Sequence, residues 1–291
     1  MDINNLDHFP KAEIDSIDFL EGVKVDVLRL DQIHSVVSGN KWFKLKYHLY
    51  AVAQVNKQTL LSFGGVYSNH LHALAYAGKM FSLKTIGMVR GDEVSNPTLE
   101  DCAKWGMELH FISREQYKQK ENEVFKQELS ERFNEPFIIP EGGDGDFGIM
   151  GCKEILQEVD SSSYDLICVP IGRGTTFLGM LTSSSANFLG FSSLKNDRSV
   201  EQILTQLPSL QNWEINYDYD FGGFGQHTGE LVDFMKMFKA KHNIELDMVY
   251  TAKMLYGIRD LHQNGKFDSV KNVLVIHTGG LQGNRSLKGF Y

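Results

Sequence analysis

Four short apolar runs, each followed by glycines, constrain the fold of this chain more than any other feature. Apolar runs without alternating polar residues are typical of strands that are buried on both faces, as in a parallel sheet. Glycines at the carboxyl ends of such strands leave room for a ligand at the edge where open α/β sheets bind their ligands. The runs are Leu60–Phe63 before Gly64 and Gly65, Phe137–Pro140 before Gly142 and Gly143, Leu166–Val169 before Gly172 and Gly174, and Val273–Ile276 before Gly279 and Gly280.

Segments with helical spacing lie between and after these runs. A further strand is predicted at Val25–Leu30, and helices are predicted at Asn69–Met80, Ser113–Phe133, Thr228–His242 and Asp247–Gln263. The alternation of strands and helices predicts an α/β fold with mostly parallel open sheets. At 291 residues the chain is long enough for two lobes. Because no linker rich in proline or glycine separates them, we expect interleaved lobes, with 43–148 inserted into a larger lobe made of 1–42 and 149–291.

Composition excludes several classes of function. Acidic residues outnumber basic ones by 37 to 29, so a nucleic-acid partner is not expected. The polar start of the chain lacks the features of a signal peptide, and no apolar run approaches the length of a membrane span. Three widely separated cysteines predict neither a disulfide framework nor a zinc site, and the spacing of His70 and His72 does not favour a metal pair. We therefore expect a cytoplasmic protein without a metal site.

The segment Ser38-Gly39-Asn40-Lys41 places a lysine where the strand Val25–Leu30 has given way to a turn, and Lys44 follows three residues later. A lysine that forms a Schiff base must be partly neutral, which requires desolvation or a nearby positive charge that lowers its pKa. The neighbouring small and aromatic residues favour desolvation, and Lys44 is the second cation. The ordinary alternative is a pair of solvated loop cations.

A second segment, Gly172–Thr176, follows a predicted strand and precedes the helix-like residues Phe177–Thr182. Backbone N–H groups at a helix N-terminus, together with the hydroxyls of Thr175 and Thr176, can form a phosphate cup. The segment is neither a Walker A sequence nor a dinucleotide fingerprint, and by itself it is equally consistent with a tight turn. A cup for a single phosphate, in a chain with a candidate Schiff-base lysine, indicates pyridoxal phosphate (PLP).

The third segment, Ser68-Asn69-His70, opens the predicted helix Asn69–Met80. Ser68 is a suitable N-cap, and capping alone would explain it. The alternative is that its hydroxyl and the adjacent N–H groups bind a substrate carboxylate.

Five ordered motifs together resemble a known family. They are Ser38-Gly39-Asn40-Lys41 with Lys44, Gly64-Gly65-Val66-Tyr67-Ser68-Asn69-His70, Gly174-Thr175-Thr176, Val249-Tyr250-Thr251-Ala252-Lys253 and His277-Thr278-Gly279-Gly280. Between about Val25 and Asn284 the chain is similar to the 1-aminocyclopropane-1-carboxylate deaminase and D-cysteine desulfhydrase family of PLP enzymes. The resemblance implies the tryptophan-synthase-β-like fold, PLP fold type II, with 1–42 and 149–291 as the PLP-binding lobe, and a homodimer is expected.

The resemblance also implies residue roles. Lys41 would carry PLP, Ser68 would contact the substrate carboxylate, and Tyr250 would lie over the substrate. The remaining cofactor contacts would come from Lys44, Asn69, Gly172, Gly174, Thr175, Thr176, Thr251 and Thr278, with Asn69 beside the phenolic oxygen and Thr251 facing the pyridine nitrogen.

Differences within the family point to the reaction. Deaminases of this group carry glutamate at the position of Thr251 and leucine at that of Thr278, whereas the desulfhydrases carry small hydroxyl residues. A hydroxyl can leave the ring nitrogen neutral, which suits β-elimination better than ring opening. The chain departs from the family at Ser38, at Phe43, which replaces an arginine, and at Phe224, which replaces a substrate-facing tyrosine.

The predicted function is therefore a PLP-dependent lyase that acts on a small amino acid, with D-cysteine giving pyruvate, sulfide and ammonia. Loss of the tyrosine hydroxyl at Phe224 leaves the substrate open, although Tyr217, Tyr219 or Tyr256 could compensate. The alternatives are 1-aminocyclopropane-1-carboxylate deaminase, a serine or threonine dehydratase-like activity, and a PLP-binding or small-molecule-binding protein without turnover.

Overall fold

The computed structural model describes Leu6, residues 11–207 and residues 209–287, so the N-terminal stretch before Leu6 lies outside the description. Along this part of the chain the strands are β1 (Glu13–Leu20), β2 (Val23–Arg29), β3 (Thr59–Gly64), β4 (Lys84–Arg90), β5 (Met107–Ile112), β6 (Phe137–Ile138), β7 (Leu166–Ile171), β8 (Phe188–Ser192), β9 (Trp213–Asn216) and β10 (Asn272–His277). The α-helices are α1 (Asn40–Gln54), α2 (Asn69–Phe81), α3 (Pro97–Lys104), α4 (Arg114–Lys118), α5 (Glu123–Arg132), α6 (Asp146–Cys152), α7 (Thr175–Leu181), α8 (Ser199–Thr205), α9 (Gly229–His242) and α10 (Thr251–Gln263).

The chain divides into two compact units: among the described residues, one is formed by Leu6 together with 34–151 and the other by 11–33 together with 152–287. The chain thus enters the first unit from the second and then returns, which is the interleaved arrangement. The long segment of the first unit begins at His34, whereas the sequence places the boundary between Trp42 and Phe43, a position inside helix α1. Because a continuous helix is an unfavourable place to leave a unit, Lys41 belongs to the first unit with the rest of α1.

The first unit contains a four-stranded sheet in the order β5-β4-β3-β6, and all of its strand pairs are parallel. The carboxyl ends of parallel strands lie at one edge of a sheet. The turn that begins at Gly64 and the 3₁₀ turn Glu141–Gly143 therefore follow neighbouring strands at the same edge. This edge carries Ser68 and Asn69.

The second unit contains a six-stranded sheet in the order β1-β2-β10-β7-β8-β9. Only the β1–β2 pair is antiparallel, and the other pairs in this sheet are parallel. Strands β10 and β7 are neighbours, so Thr278 and Gly172, which follow them, lie at the same edge. The fold is α/β with mostly parallel sheets, as the sequence predicts.

The central strands explain the apolar runs. In β3, β7 and β10 every residue after the first is buried, because helices cover both faces of a parallel sheet. The core of the second unit packs β7 and β10 against aromatic side chains of α9 and against α10; its members include Cys168, Val273, Val275, Phe234, Phe238 and Leu255.

Two predicted helices differ from the structure. The segment Ser113–Phe133 forms two helices, α4 and α5, because Asn122 caps a new helix by accepting hydrogen bonds from the N–H groups of Val124 and Phe125. The helix predicted from Asp247 begins instead at Thr251, since the side chain of Asp247 binds the backbone that precedes the helix.

Candidate functional site

Lys41 lies in the first turn of α1, not in a turn after a strand as the sequence predicts. Gly39, with φ of +67°, precedes this helix in the left-handed region that favours glycine. Lys41 is half-buried and Lys44 is buried. Because residues three apart share a face of a helix, the two lysine side chains leave α1 on the same side.

His70 provides a buried polar group beside these lysines. The hydroxyl of Ser62 donates to the carbonyl of Ile139 at 2.7 Å and so accepts from Nε2 of His70 at 2.8 Å. Nδ1 of His70 is buried without a hydrogen-bond partner among the described residues. Burial, followed by the charges of Lys41 and other neighbours, holds the pKa of His70 well below its usual range. A neutral imidazole with a bare Nδ1 therefore lies in the electrostatic vicinity of Lys41.

Ser68 is the N-cap of α2, and its Oγ accepts from the N–H of Leu71 at 3.2 Å. The turn that precedes Ser68 is stabilised by a residue from another part of the chain, since the side-chain amide of Asn96 donates to the carbonyl of Val66 at 3.0 Å. In the capping interaction the oxygen of Ser68 accepts through a lone pair, so its hydroxyl proton can still be donated to another group. Ser68 and Asn69 are both half-buried, at the carboxyl edge of the four-stranded sheet.

In the second unit, the segment Gly172–Thr176 connects β7 to α7. Gly174 has φ of +93° at the N-cap, where no side-chain hydrogen bond caps the helix. A Cβ on Gly172 would lie 3.0 Å from the ring of Tyr250, which explains why a residue without a side chain stands there. Helix α7 therefore begins without a side-chain cap, and Thr175 and Thr176 in its first turn are both buried.

Tyr250 and Thr251 open helix α10 and are held by a residue that sequence reasoning missed, Asp247. One carboxylate oxygen of Asp247 accepts from the N–H groups of Val249 and Tyr250 at 3.0 and 2.9 Å. The other accepts from the N–H and the hydroxyl of Thr251 at 2.8 and 2.7 Å. The hydroxyl of Thr251 also accepts from the N–H of Asp247 at 2.9 Å. An aspartate just ahead of an apolar helical segment is a capping signal that could have revealed this role.

Thr278 is buried at the end of β10. The residue before it, His277, is fixed on both ring nitrogens: Nε2 lies 2.7 Å from the carbonyl of Glu245, and Nδ1 accepts from the N–H of Gly279. Since β10 and β7 are neighbours, the second unit brings Thr278, the Gly172–Thr176 segment and Tyr250 to one region.

Phe224 and the tyrosines considered as its substitutes are placed differently. The ring of Phe224 is 55% exposed and meets the ring of Tyr250 edge-on, with 6.1 Å between centroids. The hydroxyls of Tyr217, Tyr219 and Tyr256 donate to the carboxylates of Glu201, Asp260 and Glu230, respectively. These three hydroxyls are therefore engaged within the second unit.

The described residues, 11–207 and 209–287 with Leu6, contain neither a metal-binding cluster nor a membrane-spanning helix. No group of three or more histidine, cysteine, aspartate or glutamate residues there is arranged to hold a metal ion. No helix within 11–207 and 209–287 is long and apolar enough to cross a membrane.

Comparison with known proteins identifies the class. A family model described as pyridoxal-phosphate-dependent enzyme matches residues 20–279, so the chain belongs to this family and PLP is its cofactor. Solved structures of fold type II PLP enzymes share its architecture. The residues of each unit suit this cofactor. In the second unit, the buried hydroxyls of Thr175 and Thr176 at a helix start without a side-chain cap suit one phosphate, and in the first unit α1 carries two lysines on one face.

Individual relatives define the group more narrowly. A Thermotoga maritima protein provisionally named 1-aminocyclopropane-1-carboxylate deaminase is 29% identical over 90% of each chain. The Arabidopsis thaliana mitochondrial bifunctional D-cysteine desulfhydrase/1-aminocyclopropane-1-carboxylate deaminase is 28% identical, over 90% of this chain and 73% of its own. The crystal structure of a homologue of 1-aminocyclopropane-1-carboxylate deaminase is 26% identical with a TM-score of 0.82, covering 97% of this chain and 95% of its own. The chain is a PLP-dependent lyase of this deaminase and desulfhydrase group.

Proposed function

We propose that the protein converts D-cysteine and water to pyruvate, hydrogen sulfide and ammonia. The observation that carries this choice is the pair of hydroxyl side chains at the two positions that differ between the deaminases and the desulfhydrases. Thr251 is completely buried at the start of α10, and Thr278 is 6% exposed at the end of β10. A glutamate in place of Thr251 would bring a second carboxylate next to that of Asp247, which the hydroxyl now contacts at 2.7 Å.

In this proposal, Lys44 and the Gly172–Thr176 segment bind the phosphate of PLP, and Asn69 contacts its phenolic oxygen. PLP, joined to Lys41 between turnovers and to the substrate amine during the reaction, would supply an electron sink that stabilises negative charge at the substrate Cα, and the amine of Lys41 would then be free to act as a base. Thr251 would face the ring nitrogen, Thr278 would be a further cofactor contact, and Tyr250 would lie over the substrate.

The chain's own residues handle the carboxylate and the proton. Ser68 and the N–H groups at the start of α2 bind the substrate carboxylate, since the N-terminal end of a helix favours an anion. The amine of Lys41 takes the Cα proton as the general base. The Cβ–S bond then breaks, and the sulfur leaves with the bonding electrons and takes up a proton as hydrogen sulfide. The released aminoacrylate reacts with water to give pyruvate and ammonia.

The role of Lys41 is tested by borohydride reduction of the purified holoenzyme followed by peptide mass analysis. The pyridoxyl group is expected on Lys41, and Lys41→Ala is expected to abolish turnover. A pyridoxyl group on Lys44 would refute the assignment, as would the absence of any label.

The substrate is tested with a panel of D- and L-amino acids and 1-aminocyclopropane-1-carboxylate, with keto acid as the readout. Pyruvate and sulfide from D-cysteine, at a higher kcat/KM than any other substrate, are the expected products. Preferred formation of 2-oxobutyrate from the cyclopropane substrate would show a ring-opening deaminase. If no compound gives a keto acid while PLP is bound, the protein binds the cofactor without turnover.

The oligomeric state of the protein and its cellular compartment remain predictions. We propose a cytoplasmic homodimer, by the resemblance to this group of enzymes. Light scattering of the holoenzyme tests the dimer, and a mass of about 33 kDa, that of one chain, would refute it. Fractionation of the source cells tests the proposed cytoplasmic compartment, and recovery in mitochondria, the compartment named for the Arabidopsis thaliana relative, would refute it.

A further inference from the structure

Lys253 is the feature of the second unit that the proposed reaction does not use. Its side chain is 1% exposed on helix α10, although lysine is rarely buried without a partner. The amine donates to two backbone carbonyls, that of Asp220 at 2.7 Å and that of Gly223 at 2.8 Å. Both acceptors belong to the connection between β9 and α9, more than 29 residues away in sequence.

That connection, residues 220–225, has an unusual backbone. Phe221, Gly222, Gly223 and Gly225 all have positive φ, with values of 51°, 95°, 110° and 70°. For Phe221 this conformation is costly, and such a conformation persists only where the surroundings impose it. Within the segment, the side-chain carboxylate of Asp220 accepts from the N–H of Gly222 at 2.7 Å, and its backbone carbonyl accepts from the N–H of Gly223 at 2.9 Å. These turns bring the two carbonyls to one point, where Lys253 binds both of them.

The segment carries Phe224, the exposed aromatic ring that meets Tyr250 edge-on. Tyr250 is the N-cap of α10 and Lys253 lies three residues later, in the first turn of the same helix. Gly172 lets the ring of Tyr250 approach the Gly172–Thr176 segment closely. The start of α10 therefore positions Tyr250 directly, and it positions Phe224 through the contacts of Lys253 with segment 220–225.

We propose that Lys253 is a positioning residue that holds segment 220–225, so that Phe224 and Tyr250 together form one wall of the amino-acid substrate site. This rests on the proposed function for the placement of Tyr250 over the substrate. Lys253 does not contact the substrate; it acts through the ring of Phe224. Loss of the Lys253 contacts weakens substrate binding more than it slows the chemical step, because Lys41 and Ser68 belong to other elements.

The protonation of Lys253 is compatible with this role. Burial lowers the pKa of Lys253 to about 8, and the opposing charges that face it are those of Asp220 and Asp247. A neutral amine has two N–H groups, which is the number that the two carbonyls require. Lys253 can therefore still donate to both carbonyls of segment 220–225 when its amine loses a proton.

The test uses the holoenzyme and the substitution Lys253→Met, which keeps an unbranched apolar chain and removes the donors. Hydrogen exchange of the peptide 217–226 is expected to rise about tenfold, because segment 220–225 loses the two hydrogen bonds that join it to helix α10. KM for D-cysteine is expected to rise about tenfold with kcat changed less than threefold, and PLP stays bound. The matched control is Lys266→Met, which removes an exposed lysine paired with Glu214 in the same unit and should change neither quantity.

A double-mutant cycle with Phe224→Ala separates positioning from general destabilisation. Phe224→Ala alone should raise KM, and adding Lys253→Met to it should raise KM by less than twofold more. If Lys253→Met does not fold, Lys253→Gln, which keeps two N–H donors on a shorter chain, takes its place in the cycle. Unchanged exchange of 217–226, or fully multiplicative effects on KM, would overturn the proposal. The exchange result does not depend on turnover, so it decides the role of Lys253 even if D-cysteine is not the substrate.

Discussion

Asp247→Ala tests how the start of helix α10 is built. The carboxylate of Asp247 is 1% exposed and accepts four hydrogen bonds, from three backbone N–H groups and the hydroxyl of Thr251. Loss of a helix cap costs about 1–2 kcal/mol, and the loss of further hydrogen bonds to a buried charged group adds to that cost. We expect the free energy of unfolding to fall by about 3–5 kcal/mol in total. The isosteric Asp247→Asn keeps one acceptor oxygen and should cost about 1–2 kcal/mol.

The assay is thermal unfolding of the holoenzyme and of the apoenzyme, monitored by calorimetry. At about 2 °C per kcal/mol for a chain of this length, Asp247→Ala should lower Tm by about 6–10 °C. The matched control is Asp233→Ala, an exposed aspartate on α9, which should change Tm by less than about 1 °C. A fall of less than about 2 °C for Asp247→Ala would show that the four contacts do not stabilise the helix start, and the reasoning would then be refuted.

Four further outcomes are expected. Ser68→Ala should raise KM while PLP stays bound, and should cost about 1 kcal/mol as a lost cap; lower stability with unchanged kinetics would make Ser68 only a cap. Thr251→Glu with Thr278→Leu should lower elimination from D-cysteine, and unchanged kinetics would exclude these positions as determinants. Phe224→Tyr should raise kcat/KM for D-serine relative to D-cysteine by about tenfold, and an unchanged ratio would contradict this. The folded pKa of Lys253, about 8, lies below the unfolded value of 10.5, so the free energy of unfolding should rise as the pH rises from about 8 to 10.5. Urea titrations of Lys253→Met should not show this rise.

The fold could be predicted from the sequence where local pattern and tertiary structure agree. The run Val273–Ile276 is apolar throughout because β10 is buried on both faces, and the predicted helix Thr228–His242 differs from α9 only in that Thr228 is its cap. Helix α1 was not predicted, because its polar and aromatic residues show weak periodicity. The break between α4 and α5 depends on one capping residue, Asn122, inside a segment of otherwise helical composition.

The candidate site was less accessible to sequence reasoning, because its supporting contacts join distant parts of the chain. A lysine that follows Thr251 by two residues gives no sign that its amine binds carbonyls 33 and 30 residues away. The lowered pKa of His70 likewise depends on burial and on the charges of Lys41 and other neighbours, neither of which its spacing from His72 reveals. Motifs predicted the candidate residues, and the structure shows which contacts hold them in place.

Helix α10 concentrates several of these contacts in its first turn, and this makes its residues interdependent. Asp247 fixes the backbone of Tyr250 and Thr251, and its negative charge also raises the pKa of Lys253 against the effect of burial. Removing the carboxylate of Asp247 would therefore lower the pKa of Lys253 further while loosening the turn from which Lys253 extends. Substitutions at Asp247 and Lys253 act on one network, so their free energies should not add. A substitution chosen to change the environment of the cofactor ring at Thr251 must for the same reason be examined for its effect on Phe224, which the same turn holds in place.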